Sequence, residues 1–420
     1  MKDSKKQHFL KEVTHQIKSK EAKNYVAKEL TYHLKETEKT WMEKGCSETE
    51  AEEKAIEQMG NPTKLGISMN QLYRPKVDWW IIILLGLSLL MGFLPLLSLE
   101  YKDYFIGHKA IIVVIGALVA VGIMFVDYRK WEKRGWFFYA VGVMILLAIR
   151  YLPNRIINGV PHIEVGPLAI ENLMSIPFFL LAWASFFNHH QVKVWKLIGL
   201  FIVPIFMFLA LPSMTSVYIY TLMIFVMLCW SKLNRKTIMT IFTIAISSII
   251  ILGTILWNYL HEYQKVRLLA FFNPEDYSTG AGYINLKLDE ILTNSNWFGN
   301  SAGGEFIPEA HTSFVFVTSI YYYGWLLGIV LVLILSMFAV RIIFVSFSIK
   351  DSYGKLLLIG TVALYLAQLA TNIAMTLGLF PLVGISLPFM SYGLMPTLLN
   401  AILIGVVLSV YRRKDFLVVA

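Results

Sequence analysis

Glu309, His311 and Ser313 stand within five positions of one another, in a chain that is 56% hydrophobic. A carboxylate and an imidazole this close can serve as a general base or bind a divalent metal ion, and Ser313 adds a hydroxyl. If a helix begins here, Glu309 and Ser313 share one face at spacing i,i+4. The structural alternative is that Thr312 caps the helix and Glu309 is only solvated ahead of it.

These residues end a connection of 53 residues, 260–312, which is long enough to indicate function. Lys265 and Arg267 lie near its start, and Arg155 lies in an earlier connection. Cations at these places are candidates for binding a phosphate group. For Lys265 and Arg267 the alternative is snorkelling at a membrane interface.

The composition sets the class of protein. Only 15% of the residues are charged, against about 25% in soluble domains, which excludes an ordinary soluble enzyme and a disordered regulator. Cys46 and Cys229 form no disulfide or metal framework. Nothing in the sequence points to a nucleic-acid partner.

Ten apolar segments are long enough to span a bilayer, so the predicted fold class is all-α, a polytopic membrane protein. The predicted spans are 78–98, 108–127, 135–151, 166–187, 194–211, 214–231, 237–259, 314–340, 356–378 and 390–411. With residues 1–77 inside, 15 basic residues fall in cytoplasmic connections and seven outside, Lys109 among the latter. The positive-inside rule therefore predicts that both termini are cytoplasmic.

The spans carry almost no ionisable side chains away from their ends. Asp78, Asp127 and Glu171 all lie near a span edge. Ion-coupled transporters usually need charges near the midplane, so this pattern disfavours them.

Residues 1–77 are much richer in charge, with 15 basic and 12 acidic side chains. A helical stripe, a capping box beginning at Ser47 and a Gly-Asn-Pro stop at residues 60–62 predict a small cytosolic helical domain at 1–70. This arrangement resembles the permease prefix module of bacterial membrane proteins. Residues 71–77 are predicted to be a linker, and 78–415 the membrane domain. The prefix domain is either a solvated tether or a regulatory docking module.

Four stretches carry a more specific resemblance. Residues 306–316, FIPEAHTSFVF, resemble the LPEAHTDFIF segment of the SEDS family of cell-wall polymerases, and the NP and GY pairs at 273–274 and 282–283 fall in register with it. Residues 368–381 and 384–393, the latter GISLPFMSYG, are similar to the two C-terminal motifs of that family. The resemblance covers about residues 77–415.

The resemblance implies a ten-helix glycosyltransferase of the bacterial cytoplasmic membrane. Its substrate would be lipid II, the undecaprenyl-linked disaccharide-peptide, which it would polymerise during cell-wall growth, division or sporulation. It implies contact with membrane lipids, a class B penicillin-binding protein as partner, and magnesium or manganese bound with the lipid pyrophosphate. No organic cofactor is expected.

The family's essential aspartate corresponds to Ser313 in this chain. A serine hydroxyl cannot replace a carboxylate as general base, because its pKa is far too high. Glu309 or His311 would then be the substituted base or a metal ligand. His162, at a family Trp position, is a candidate for contacting a sugar. The full set of predicted substrate-binding residues is Arg155, His162, Lys265, Arg267, Gln368 and Asn372.

Other charged family positions are also replaced, while structural glycines and prolines are retained. This pattern keeps two alternatives open beside the polymerase. One is a catalytically degenerate protein that binds lipid II or regulates a synthase. The other is a transporter of the lipid-linked precursor.

Overall fold

The structure is a computed structural model that describes residues 5–99, 102–157, 160–166, 168–189, 193–211, 213–256, 262–300 and 306–416. For residues 246, 248–256, 263, 264, 267 and 268 only the backbone is described. The chain divides into an N-terminal unit, described over 5–77 and 411–416, and a membrane unit, 78–410.

Four helices build the N-terminal unit: α1 (Lys5–His15), α2 (Lys20–Glu43), α3 (Glu48–Met59) and α4 (Pro62–Leu72). The predicted capping box is present, since Ser47 accepts from the Glu50 amide and the Glu50 carboxylate accepts from the Ser47 amide. Val13, Val26 and Leu34 lie in one apolar core on the inward faces of α1 and α2. That these residues are cytosolic stays a prediction.

The last described residues of the chain belong to this same core. The Phe416 ring lies 5.2 Å from Tyr25 and 6.0 Å from Tyr73, centroid to centroid. The Arg413 side chain is 1% exposed and pairs with Glu21. The unit is therefore larger than the predicted 1–70: residue 73, placed in a linker, and residues 411–415, placed in the membrane domain, lie in it because their aromatic and paired side chains are buried there.

The membrane unit is mostly helical. Its helices are α5 (Trp79–Met91), α6 (Leu94–Leu97), α7 (Lys102–Phe125), α8 (Gly135–Tyr151), α9 (Ile176–Asn188), α10 (Val194–Ala210), α11 (Met214–Cys229), α12 (Arg235–Leu256), α13 (Glu262–Phe272), α14 (Tyr283–Thr293), α15 (Val315–Tyr323), α16 (Trp325–Ser348), α17 (Ser352–Thr376) and α18 (Leu394–Arg412). Short 3₁₀ helices cover Tyr128–Arg134, Asn172–Ser175 and Pro274–Tyr277.

Six stretches of helix among the described residues are long and apolar enough to cross a membrane: Trp79–Leu97, Lys102–Phe125, Tyr128–Tyr151, Trp325–Ser348, Ser352–Thr376 and Leu394–Arg412. Three shorter apolar helices, Asn172–Asn188, Val194–Ala210 and Met214–Cys229, coincide with further predicted spans. A polytopic membrane protein is confirmed. The count of ten crossings stays a prediction.

The eighth predicted span, 314–340, is wrong in its bounds. The chain breaks at Gly324, whose φ of 91° suits glycine, so α15 ends at Tyr323 and the long helix α16 begins at Trp325. A Cβ at Gly324 would lie 2.2 Å from the Trp297 carbonyl oxygen. Residues 296–299 of the long loop therefore pack against this break. Ser313 precedes α15 and does not lie on a spanning helix.

The prediction of purely helical structure is also wrong at the fourth span. An antiparallel sheet of β1 (Arg155–Ile157), β2 (Val160–Val165) and β3 (Leu168–Ile170) is present, and β3 occupies the start of the predicted span 166–187. The β-branched residues here favour extended backbone. The apolar helix consequently starts only at Asn172, and Glu171 lies in the connection before it.

Candidate functional site

A cavity of about 290 Å³ lies inside the membrane unit. The sheet, the 3₁₀ helix Asn172–Ser175, α11 and α17 form part of its wall. The turn before α15 and the segment that leads into α18 also line it. Apolar side chains make up much of the lining, including Ile219, Leu394 and Leu399. Polar groups converge on it from His162, Glu171, Thr312, Gln368, Ser386 and Tyr392. An apolar cleft with a few convergent polar groups is the usual form of a ligand site.

Three consecutive carbonyls of the 306–316 motif are held by the two C-terminal motifs. The Tyr392 amide donates to the His311 carbonyl at 2.7 Å, and the Ser391 hydroxyl donates to the Thr312 carbonyl at 2.7 Å. The Asn372 side-chain amide donates to the Ser313 carbonyl at 2.8 Å. We call these three hydrogen bonds the backbone clamp. They fix residues 311–313 beside the cavity.

Asn372, predicted to bind substrate, is fully buried, and its Nδ2 also donates to the Ile385 carbonyl at 2.7 Å. Both of its donor hydrogens are therefore used to join two loops. Gln368 lies one helical turn earlier on α17 and does line the cavity. Its Nε2 donates to the Leu364 carbonyl at 3.3 Å, and its Oε1 lies 3.5 Å from the Asn400 amide nitrogen.

The structure separates the three predicted catalytic residues. Residues 309–313 form turns rather than a helix, with Glu309 at φ 44°, so Glu309 and Ser313 do not share a helix face. Glu309 is exposed, whereas Ser313 is 9% exposed, and neither lines the cavity. The alternative of a Thr312 cap is also wrong, because α15 begins at Val315 without a side-chain cap.

The His311 ring packs against two aromatic rings that also contact each other. Its centroid lies 4.7 Å from Phe105 and 5.6 Å from Tyr392. Burial lowers the pKa of His311, and the charge of nearby Glu309 opposes that shift. The imidazole is held against aromatic rings and its backbone is in the clamp, so His311 positions the turn.

Two of the three predicted cations have acidic partners. Arg155 Nη1 lies 2.6 Å from the Glu164 carboxylate across the sheet, and this hydrogen bond raises the pKa of Arg155. Lys265 Nζ lies 3.0 Å from Glu262 one turn away on α13. Both pairs leave the cations partly exposed. Arg267 is on α13, but its side chain lies outside the described residues.

His162 is 9% exposed and lines the cavity. Its Nδ1 lies 2.8 Å from the Val160 carbonyl oxygen. Since a carbonyl only accepts, Nδ1 carries the hydrogen, which leaves Nε2 as the acceptor in the neutral ring. The ring is thus fixed by the sheet, with one nitrogen free to contact a ligand.

Glu171 is the cavity residue that the sequence candidates missed. It follows β3 directly and holds the N-cap position of the 3₁₀ helix Asn172–Ser175, yet its side chain does not cap that helix. Protein atoms surround most of the carboxyl group although part of it is reachable, and this desolvation raises the pKa of Glu171 to about 7. An acidic residue at the entrance of an otherwise uncharged span was the signal that could have identified it.

Lys109 holds the loop that precedes α18. It was counted among the extracytoplasmic loop charges, but it lies within α7 and is 3% exposed. Its ammonium donates to the carbonyls of Gly92 and Met390. A buried cation needs such partners, so Lys109 ties the loop that carries Ser391 and Tyr392 to the first helices of the unit.

Among the described residues, no group of three or more His, Cys, Asp or Glu side chains is placed to hold a metal ion. A magnesium ion bound with a pyrophosphate needs only one or two protein carboxylates, because phosphate oxygens and waters supply the other ligands. The described lining of the cavity offers a single carboxylate, so such an ion would be held by the pyrophosphate oxygens and water. The expected magnesium or manganese stays a prediction.

The fold and the sequence match known proteins over the membrane unit. The family model described as "Cell cycle protein", for FtsW, RodA and SpoVE, matches residues 77–415. The probable peptidoglycan glycosyltransferase FtsW of Coxiella burnetii is 26% identical over 80% of this chain and 97% of its own. The peptidoglycan glycosyltransferase MrdB of Escherichia coli is 30% identical over 39% of this chain and 46% of its own.

Solved structures show the same architecture. A chain from a peptidoglycan synthase complex that coordinates polymerization and crosslinking superposes with a TM-score of 0.70 at 22% identity, covering 80% of this chain and 98% of that one. The rod shape determining protein RodA of Thermus thermophilus gives 0.58 at 20% identity, covering 81% and 97%. At these identities the likeness concerns the fold. Together with the family match, it shows that the chain belongs to the FtsW/RodA/SpoVE (SEDS) family, the multi-pass membrane proteins of bacterial cell-wall synthesis.

Proposed function

We propose that this protein is a peptidoglycan glycosyltransferase that polymerises lipid II. The observation that carries the proposal is the backbone clamp. Asn372, Ser391 and Tyr392 hold the 311–313 backbone beside a polar cavity that contains an ionisable carboxyl group. A scaffold kept only for its shape would not need a carboxyl group in this cavity, where desolvation makes an unpaired charge costly.

The proposal includes a topology. With ten crossings and both termini in the cytoplasm, the cavity opens near the outer surface of the cytoplasmic membrane, where lipid II is polymerised. Its apolar walls suit the lipid end of the substrate, and the polar groups of His162 and Gln368 suit sugar hydroxyls. Magnesium or manganese would arrive with the pyrophosphate and neutralise its charge.

A class B penicillin-binding protein is the proposed partner. The support is the match to a chain of a synthase complex that coordinates polymerization and crosslinking. Such a partner would cross-link the strands that this protein makes.

The direct test supplies labelled lipid II to the purified full chain in detergent or vesicles, alone and with candidate class B partners, with magnesium or manganese. We expect a ladder of glycan strands that EDTA abolishes. A protein that binds lipid II but yields no ladder with any partner or metal would refute the proposal.

A second function is favoured by one residue. Ser313 stands at the family's essential aspartate and is nearly buried, which fits a degenerate protein that binds lipid II and regulates a synthase. The same assay separates the two functions. The degenerate protein would bind lipid II without polymerising it and would change the ladder made by a separate, active synthase.

A further inference from the structure

Glu171 has no side-chain partner among the residues that the structure describes. Its carboxyl group makes no hydrogen bond or ion pair there, and it leaves the adjacent 3₁₀ helix uncapped. Two other carboxylates at the edges of the membrane unit are paired: Asp78 with Arg341 at 2.7 Å and Glu164 with Arg155 at 2.6 Å. Glu171 is thus an acid held in a cavity without the cation that a structural role would require.

A carboxyl group in such a place lowers stability whenever it is ionised. A glutamine or an apolar residue would fill the same space at less cost. Desolvated acids that line a cavity without a structural partner are characteristic of functional sites. The desolvation that raises the pKa of Glu171 to about 7 also suits a general base, which works best when its pKa lies near the operating pH.

Glu171 lies in the same cavity as the neighbour of Ser313, the position where the family has its aspartate. Thr312, the neighbour of Ser313, lines the cavity wall, and Glu171 lines the same cavity from the end of the sheet. Glu309, the other nearby carboxylate, is exposed and does not line it. The carboxylate of Glu171 therefore faces the same cavity as the clamped turn.

We propose that Glu171 is the general base of glycosyl transfer, in place of the carboxylate missing at Ser313. This inference rests on the proposed polymerase function. The acceptor sugar hydroxyl gives its proton to the Glu171 carboxylate while its oxygen forms a bond to the anomeric carbon of the donor. The bond between that carbon and the pyrophosphate oxygen breaks, and undecaprenyl pyrophosphate leaves with the electron pair.

The test measures polymerisation of labelled lipid II by the full chain with its partner between pH 5.5 and 8.5. Lipid II binding is measured in parallel. The decisive variant is Glu171→Gln, and Glu275→Gln is the matched control, an exposed carboxylate in the long loop. Glu309→Gln tests the competing carboxylate. His162 and Tyr392 are the other titratable side chains lining the cavity, so His162→Gln and Tyr392→Phe are included in the pH series.

We expect Glu171→Gln to lower the rate about 10²- to 10⁴-fold, the usual contribution of a general base, with lipid II binding unchanged within a few-fold. The wild-type rate should rise tenfold per pH unit below pH 7 and level off above it. That inflection should persist in His162→Gln and Tyr392→Phe and disappear in Glu171→Gln. Glu171→Asp should regain part of the rate.

Polymerisation by Glu171→Gln at the wild-type rate would overturn the inference and leave the polymerase function standing. Loss of polymer in Glu309→Gln with full activity in Glu171→Gln would assign the role to Glu309 instead. Wild-type protein that makes no polymer with any partner would refute the function and the inference together. Thermal melting separates misfolding from a positioning role. A Glu171→Gln variant that melts at or above the wild-type temperature but fails to bind lipid II would show that residue 171 positions the site, and would overturn its role as the base.

Discussion

Replacing Asn372 with leucine removes two N–H donors from the centre of the site and keeps the number and branching of the side-chain heavy atoms. The Asn372 amide donates to the carbonyls of Ser313 and Ile385 at 2.8 and 2.7 Å. Each of the two buried carbonyls left without this donor costs about 1–3 kcal/mol. The Asn372 Oδ1 has no partner among the described residues, so losing it returns part of that amount. We expect a net loss of about 1–3 kcal/mol in the free energy of unfolding.

Thr361→Val is the matched control. Thr361 lies on the same helix, is fully buried, and its hydroxyl has no hydrogen-bond partner among the described residues. Removing that hydroxyl should leave stability unchanged or slightly raised. The two variants therefore differ in whether a buried polar group is bonded.

The assay is thermal unfolding of the full chain in detergent together with amide hydrogen exchange. Asn372→Leu should lower the melting temperature by a few degrees. It should also speed exchange in peptides covering 307–316 and 385–393, including the Tyr392 amide that donates to His311. Thr361→Val should do neither. Equal melting temperatures for the two variants, or a loss of stability without faster exchange in these segments, would refute the backbone clamp.

Three further predictions concern other parts of the molecule. Because the pKa of Glu171 is raised from 4.5 to about 7, the wild type should lose stability relative to Glu171→Gln as pH rises from 4.5 to 7, by at most about 3 kcal/mol; parallel melting curves at pH 4.5 and 8 would contradict this. Phe416→Ala should destabilise the N-terminal unit by about 3 kcal/mol and expose residues 5–77 to limited proteolysis. Phe298→Ala should do neither, because Phe298 is 85% exposed; equal proteolysis of the two variants would show that Phe416 does not stabilise that core. Gly324→Ala should cost more than about 1 kcal/mol at φ 91°, while Gly86→Ala, with nothing within 4 Å of the added carbon, should be neutral or stabilising in the same melts.

Local rules were enough to predict the helices and several of their ends. Ser47 and Glu50 define a helix start through neighbours three residues apart, and the structure contains that capping box. Long apolar runs such as Ser352–Thr376 are recognisable because a bilayer requires about 20 apolar residues.

The features that the sequence did not predict depend on distant partners. The break at Gly324 exists because residues 296–299 of the loop approach it, with the Trp325 amide donating to the Asn296 carbonyl at 3.1 Å. The apolar pattern of residues 314–340 cannot predict this contact, because the partner residues lie outside the segment. The helical interpretation failed for the same reason at the sheet of residues 155–170, where strand pairing decides the conformation.

The site shows the same division. Resemblance identifies the motifs around Asn372 and Ser391, but not the contacts that they make. The hydrogen bond from Asn372 to residue 313 joins positions 59 residues apart, and the one from Ser391 to residue 312 joins positions 79 residues apart. Glu171 was noticed only as a charge at a span edge. Its place in the cavity follows from the turn of the sheet into the 3₁₀ helix, which the sequence did not reveal.

The most direct test of this account compares lipid II polymerisation by the wild type and by Glu171→Gln at pH 7.5, with the partner and a divalent metal present. We predict a glycan ladder for the wild type and, for the variant, bound lipid II with a rate at least about 10²-fold lower. A wild type that binds lipid II and never extends it, or a variant that extends it at the wild-type rate, would contradict the account.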